Sequence, residues 1–206
     1  MAATGRDRIL LAAEQLIAER GVDVPFREIA AGAGQRNNSA VHYHFGSREG
    51  LIEAVLELRT APQEARRLEL LAELEEQGRA DDLSALVEIL VRPLTETPYA
   101  DGATHYARFI EQIRNHAALA DVVFDAGRWP TSRIVAGRIL HALEHLPPAV
   151  RTRRLQSLLA VEFSLLAEHE RRWDGTGSAA PAPEVVDDLI AMLVGLLRAP
   201  VLAAKH

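Results

Sequence analysis

The segment FREIAAGAGQRNNSAVHYHF, residues 26–45, followed at once by GSREG, limits what this chain can fold into more than any other, because it sets two short helices around a sharp turn. Pro25 suits a first helical position, where its missing N–H leaves no bond unmade and its fixed φ already fits. Phe26, Ile29 and Ala30 recur at i, i+3 and i+4, so one face of this helix is apolar while Arg27 and Glu28 turn outward. Gly32 and Gly34 end it. A glycine near a helix C-terminus accepts the left-handed conformation that redirects the chain, and a glycine-bearing turn between short helices is what helix-turn-helix geometry requires. Asn37 is placed to cap the next helix through its side-chain oxygen, and that helix is predicted over residues 38–45.

Its composition exceeds what packing needs. Arg36, Asn37, Asn38, Ser39, His42, Tyr43 and His44 crowd donors and acceptors into one segment, leaving Ala40, Val41 and Phe45 to hold it in place. Asparagine can pair bidentately with adenine, arginine with guanine, and hydroxyls with either base type or with phosphate. The inventory fits a helix lying in the major groove of double-stranded DNA. Ser47 then caps a further helix beginning near Arg48, whose guanidinium and N-terminal dipole both favour a phosphate.

From about Arg8 to Glu57 the chain resembles the TetR family of bacterial transcriptional regulators, on the strength of ILLAAEQLIAERGVD, REIAAGAG and VHYHFGSREGL. The resemblance implies an all-α fold: an N-terminal three-helix helix-turn-helix head, residues 1–47, and a C-terminal helical bundle for ligand binding and dimerisation, residues 48–206. It further implies a homodimer that binds a palindromic operator, with repression as the default direction and release by a small-molecule effector. Residues 38–44 would enter the groove, with Arg27, Tyr43, His44 and Arg48 as phosphate anchors. Two departures from the family pattern stand out. Val41-His42 replaces a common Leu-Tyr whose tyrosine touches phosphate, and the interval from Gly34 to Phe45 is one residue longer than in most relatives.

Net charge of −6 runs against a nucleic-acid binder. Within residues 1–52, six arginines (6, 8, 20, 27, 36, 48) are matched by six acids (7, 14, 19, 23, 28, 49), so the head is neutral. Placement matters more than the sum, since Arg27, Arg36 and Arg48 fall in the segments expected to face DNA. With few basic groups, a shallow salt dependence is expected. The absence of cysteine rules out disulfides and thiolate metal sites. Neither a signal-peptide core nor an apolar run of membrane-spanning length is visible, and a cytoplasmic protein without a cofactor is expected.

Beyond the head, helices are predicted over residues 48–60, 63–78, 82–95, 102–118, 131–145, 148–172 and 183–198, with a loop at 174–183 rich in Gly, Ser, Ala and Pro. In the last helix Val186, Leu189, Ile190, Leu193, Val194 and Leu197 form an apolar stripe, and Leu155, Leu159 and Leu166 lie on the helix before it. Two such helices from each subunit suit a four-helix dimer interface; the competing expectation is that they complete a monomer core. Tyr106, Ile110, Arg114, Trp129, Glu162 and Phe163 are the candidate ligand-binding residues. Arg114 and Glu162 interrupt apolar stripes, either meeting as a buried pair or lining a cavity. Trp129, with Phe124 upstream, either plugs the core or walls the pocket.

Two other functions compete. His141 and His145 stand one turn apart, a spacing that can grip a metal, but Arg138 shares that face and would repel a cation; no metal site is expected. A helical protein-interaction module without DNA binding fits the neutral head but leaves the polar helix unexplained.

Overall fold

A computed structural model describes residues 4–35, 39–99, 103–116, 119, 127–173, 175 and 178–201. These form nine α-helices and a short 3₁₀ turn, with no strand among the described residues. The head begins with α1 (Gly5–Arg20), opened by a capping box in which Thr4 and Asp7 satisfy each other's backbone N–H groups. Ile9, Leu10, Ala13 and Ile17 form its buried side. α2 (Phe26–Gly32) follows with Pro25 as its cap, one position ahead of where the sequence pattern set it. Gly34 then turns the chain at φ +67, and α3 (Ser39–Phe45) packs on the head through the fully buried Val41.

The helices predicted at 48–60 and 63–78 are one element, α4 (Arg48–Glu76), which continues without a break past Pro62. Proline removes one N–H from the ladder and crowds the carbonyl four residues back. Pro62 is exposed, while Val55 and Leu56 before it and Gln63, Glu64 and Arg67 after it are buried, so packing on both sides keeps the helix continuous. At 29 residues the helix spans about 43 Å. It touches α1 and α3 at its start and the body further along.

The body comprises α5 (Leu83–Glu96), α6 (Tyr106–Arg114), α7 (Pro130–Ala142), α8 (Pro148–Arg172) and α9 (Pro183–Arg198). Asp82 caps α5 by accepting from Ser84 N and Ala85 N at 3.0 and 3.2 Å. α6 is shorter than the predicted 102–118, and α7 stops three residues before 145. α6 lies between α1 and α8, and α9 packs against α5 and α8. One continuous apolar core extends from Ile9 to Leu197.

Most of the expected dimer stripe is already covered within one chain. Leu155, Leu166, Val186, Leu189, Leu193, Val194 and Leu197 are buried within the single chain, and Leu159 and Ile190 are half-buried against the same core. A periodic stripe shows which side of a helix is apolar, not which neighbour covers it, and here α5 and α8 do so. Among the described residues no helix is long and apolar enough to cross a membrane.

Candidate DNA-reading surface and buried polar core

α3 presents its polar side to solvent. Tyr43 is 86% exposed, Ser39, His42 and His44 are exposed, and Val41 anchors the opposite side. His42 packs edge-on against the Phe26 ring at 4.9 Å and donates from Nδ1 to the Gly46 carbonyl at 2.9 Å, so its ring braces the end of the helix. Arg27 is exposed on α2. Arg36, Asn37 and Asn38 lie outside the described residues, as does the capping role expected of Asn37.

Arg48 departs from the role of phosphate anchor. Its guanidinium donates to the carbonyls of Val22 and, at 2.9 Å, Val24, and lies over the Phe26 ring at 5.1 Å. It ties the start of α4 to the loop between α1 and α2, because that loop leaves carbonyls without helical partners. Arg6, which the sequence pattern did not single out, sits over the Phe45 ring at 5.3 Å and brings a cation to the end of α3. The junction between α3 and α4 is tight: Ser47 Oγ accepts from Gly50 N at 3.1 Å, and a Cβ on Gly50 would lie 2.4 Å from the Phe45 carbonyl oxygen.

Head and body meet at the start of α6, where two buried carboxylates converge. Glu14 of α1 accepts from Arg59 Nε and Nη2 at 2.6 and 3.0 Å, from the Thr104 hydroxyl at 3.1 Å and from His105 N at 3.0 Å. Glu170 of α8 accepts from Ala107 N and Arg108 N at 2.9 and 3.0 Å. Burial pushes the Glu170 carboxyl up to about 7, although these two N–H groups pull the other way. Burial and the nearby Arg108 hold His105 below the usual histidine range. Helix N-termini favour such negative charge. Sequence alone missed both residues, since a glutamate whose partners are backbone N–H groups of a distant segment looks like any solvent-facing acid.

Further into the body lies a second polar group. Arg67 is 3% exposed; it donates to Glu64 at 3.1 Å and to the Leu90 carbonyl at 3.1 Å, and its guanidinium lies over the Trp129 ring at 6.0 Å. Glu64 also accepts from Thr131 N, Ser132 N and the Ser132 hydroxyl, so it holds the start of α7. Tyr106 meets Phe163 edge-on at 6.2 Å. Glu162 is buried, which pushes its carboxyl up to about 8 against the opposing influence of Arg67.

The structure thus gathers Tyr106, Glu162, Phe163 and Trp129 around Arg67, with Ile110 fully buried on α6. Arg114 does not pair with Glu162; it donates instead to the Ala160 carbonyl at 3.1 Å. Phe124 lies outside the described residues. His145 falls beyond the end of α7, and His141 sits 3.3 Å from Glu144 on the surface. The surface grooves along α9, lined by residues such as Asp82, His145 and Arg198 or Glu88, Arg92 and Asp187, share no residue with the buried group.

Residues 9–55 match the family model described as bacterial regulatory proteins, tetR family. No curated protein matches the sequence. Among solved structures, the fatty acid degradation regulator FadR from Bacillus halodurans superposes with a TM-score of 0.60 at 16% identity, covering 93% of this chain and 99% of that one. The TetR family transcriptional regulator PfmR from Thermus thermophilus gives 0.56 at 19% identity, covering 91% and 97%. Residues 9–55 are therefore a tetR-family helix-turn-helix DNA-binding domain, carried on a chain with the all-helical fold of TetR-family transcriptional regulators.

Proposed function

We propose that the chain works as a homodimeric, ligand-responsive regulator that binds a palindromic operator and is released from it by a small molecule acting on the helical body. The observation that carries this reading is α3, whose polar side stands exposed beside a glycine turn while the fully buried Val41, with Ala40 and Phe45, fixes it from beneath. A helix that served only to pack would not leave Tyr43 and its neighbours bare. Residues 38–44 enter the major groove, with Arg27, Tyr43, His44 and Arg6 on phosphates. Repression is the direction that family resemblance supports.

The dimer surface is the outward side of the last two helices, where Leu165, Val185 and Met192 remain 37, 50 and 49% exposed. Two heads joined there reach half-sites one helical turn or a multiple of it apart. The effector acts by favouring a head spacing that the operator does not match.

Sequencing of genome fragments retained by the purified protein at moderate salt tests the reading, with an enriched palindrome as the expected result. Asn38→Ala should relax base preference by ~1–3 kcal/mol, and Arg27→Ala should weaken all sequences alike and flatten the salt dependence. If neither substitution moves operator affinity, α3 is not the reading helix.

A further inference from the structure

Nine side-chain atoms among the described residues are closed to water and lack a hydrogen-bonding partner; besides Arg108 Nε, His116 Nδ1, Arg128 Nε and Arg138 Nη1 they are Gln63 Nε2 and Oε1, Arg67 Nε, Tyr106 Oη and Glu162 Oε2, and these last five belong together. Their side chains belong to residues no more than 3% exposed. They converge on one place. Gln63 and Arg67 are one turn apart on α4 and share a face. Tyr106 on α6 and Glu162 on α8 both lie within reach of the Arg67 charge, and Phe163 beside Glu162 packs on the Tyr106 ring. Arg67 is the chief charge acting on both Tyr106 and Glu162. Buried polar groups in folded proteins are as a rule paired, and one left unpaired is costly. Several together, beside aromatic rings in the middle of a helical domain, form the lining expected of a small-molecule site.

The orphaned set has a bias. Gln63 Nε2 and Arg67 Nε can only donate, the Tyr106 hydroxyl has a proton to give, and Glu162, kept protonated by burial at neutral pH, adds another. The Gln63 carbonyl oxygen is the one obligate acceptor. Negative charge is not in surplus either, since Glu64 already answers Arg67 and three donors at the start of α7. We propose that this cluster is the effector site and that it takes a small organic acid, the carboxylate among Arg67, Gln63, Tyr106 and Glu162 and its apolar body against Phe163 and Trp129. Naming this ligand the effector rests on the regulator reading above; the binding chemistry rests on the cluster.

Thermal unfolding of the full chain at neutral pH tests the assignment with a graded series from butyrate to decanoate and with phenylacetate, each set against its matched amine and amide. The expected result is a saturable rise in Tm of several degrees with at least one acid and none with its amine. Tyr106→Phe and Gln63→Leu remove orphaned groups, so each should keep or raise the Tm of the ligand-free protein while weakening acid binding tenfold or more. A cluster that merely tolerates strain would show the first effect without the second. Stabilisation by amines or amides in place of acids overturns the ligand class, and no shift across the whole series overturns the site. DNA binding by the same preparation without any acid is measured separately: a protein that takes acids but retains no DNA sinks the regulator reading and leaves the binding chemistry standing.

Discussion

Glu162 is a carboxyl with an ordinary value of 4.5 that burial on α8 pushes up to about 8, against the opposing charge of Arg67 from α4. Over that interval the folded chain holds a proton that the unfolded chain has released, so stability falls as pH rises from about 4.5 to about 8. The loss is on the order of 3–5 kcal/mol across the window. Glu162→Gln keeps the shape without the titration, and denaturant unfolding at pH 5, 6.5 and 8 should show a flatter decline, with Glu170 leaving a residual slope below about 7. An unchanged slope would place the buried proton elsewhere. Two glycines make a second test at this scale. Gly50→Ala sets a Cβ against the Phe45 carbonyl oxygen and should destabilise by ~2 kcal/mol or more, whereas Gly137→Ala on α7, with nothing within 4 Å of the added atom, should stabilise by roughly 0.5–1 kcal/mol. Equal effects in thermal melts would mean that the α3–α4 junction is looser than it looks.

At the scale of elements, α6 is held at its start by carboxylates from two different helices, Glu14 from the head and Glu170 from the body. Tyr106 N donates to the Thr104 hydroxyl at 3.1 Å, and that hydroxyl donates to Glu14, so the residue that faces the buried cluster is linked through one side chain to α1. Glu14→Gln leaves Arg59, only 13% exposed, without its counter-charge, and breaking a buried pair in this way should cost ~3–5 kcal/mol. Arg59→Met in the same chain should recover part of that loss, because the two changes are coupled; strict additivity in urea unfolding would deny the pairing. Much of this layer was legible in the sequence. Ser47 announced its helix, and Gly34 marked the turn. Pro62 misled, because the penalty for an internal proline is visible in sequence while the burial on both sides that offsets it is not. Glu14, Glu170, Arg67 and Gln63 were missed for a related reason: their partners, or the lack of them, are set by helices far along the chain.

For the whole molecule, the apolar stripe of α9 is covered largely within its own chain, the alternative that the periodicity left open: Leu193 is fully buried there while Met192, the next residue, is half exposed. That adjacency separates folding from association. Leu193→Glu buries a charge with no partner and should unfold the chain. Met192→Glu with Leu165→Glu alters only the outward face, so its stability should stay within ~0.5 kcal/mol per substitution once dissociation is allowed for. Light scattering after gel filtration should then give a folded monomer. Each head would still find its half-site, but without the second head held nearby the palindrome should bind ~10²–10⁴-fold less tightly. A doubly substituted protein that remained a dimer would move the interface off α8 and α9, and a monomer that kept full affinity would mean that one head reads the operator alone.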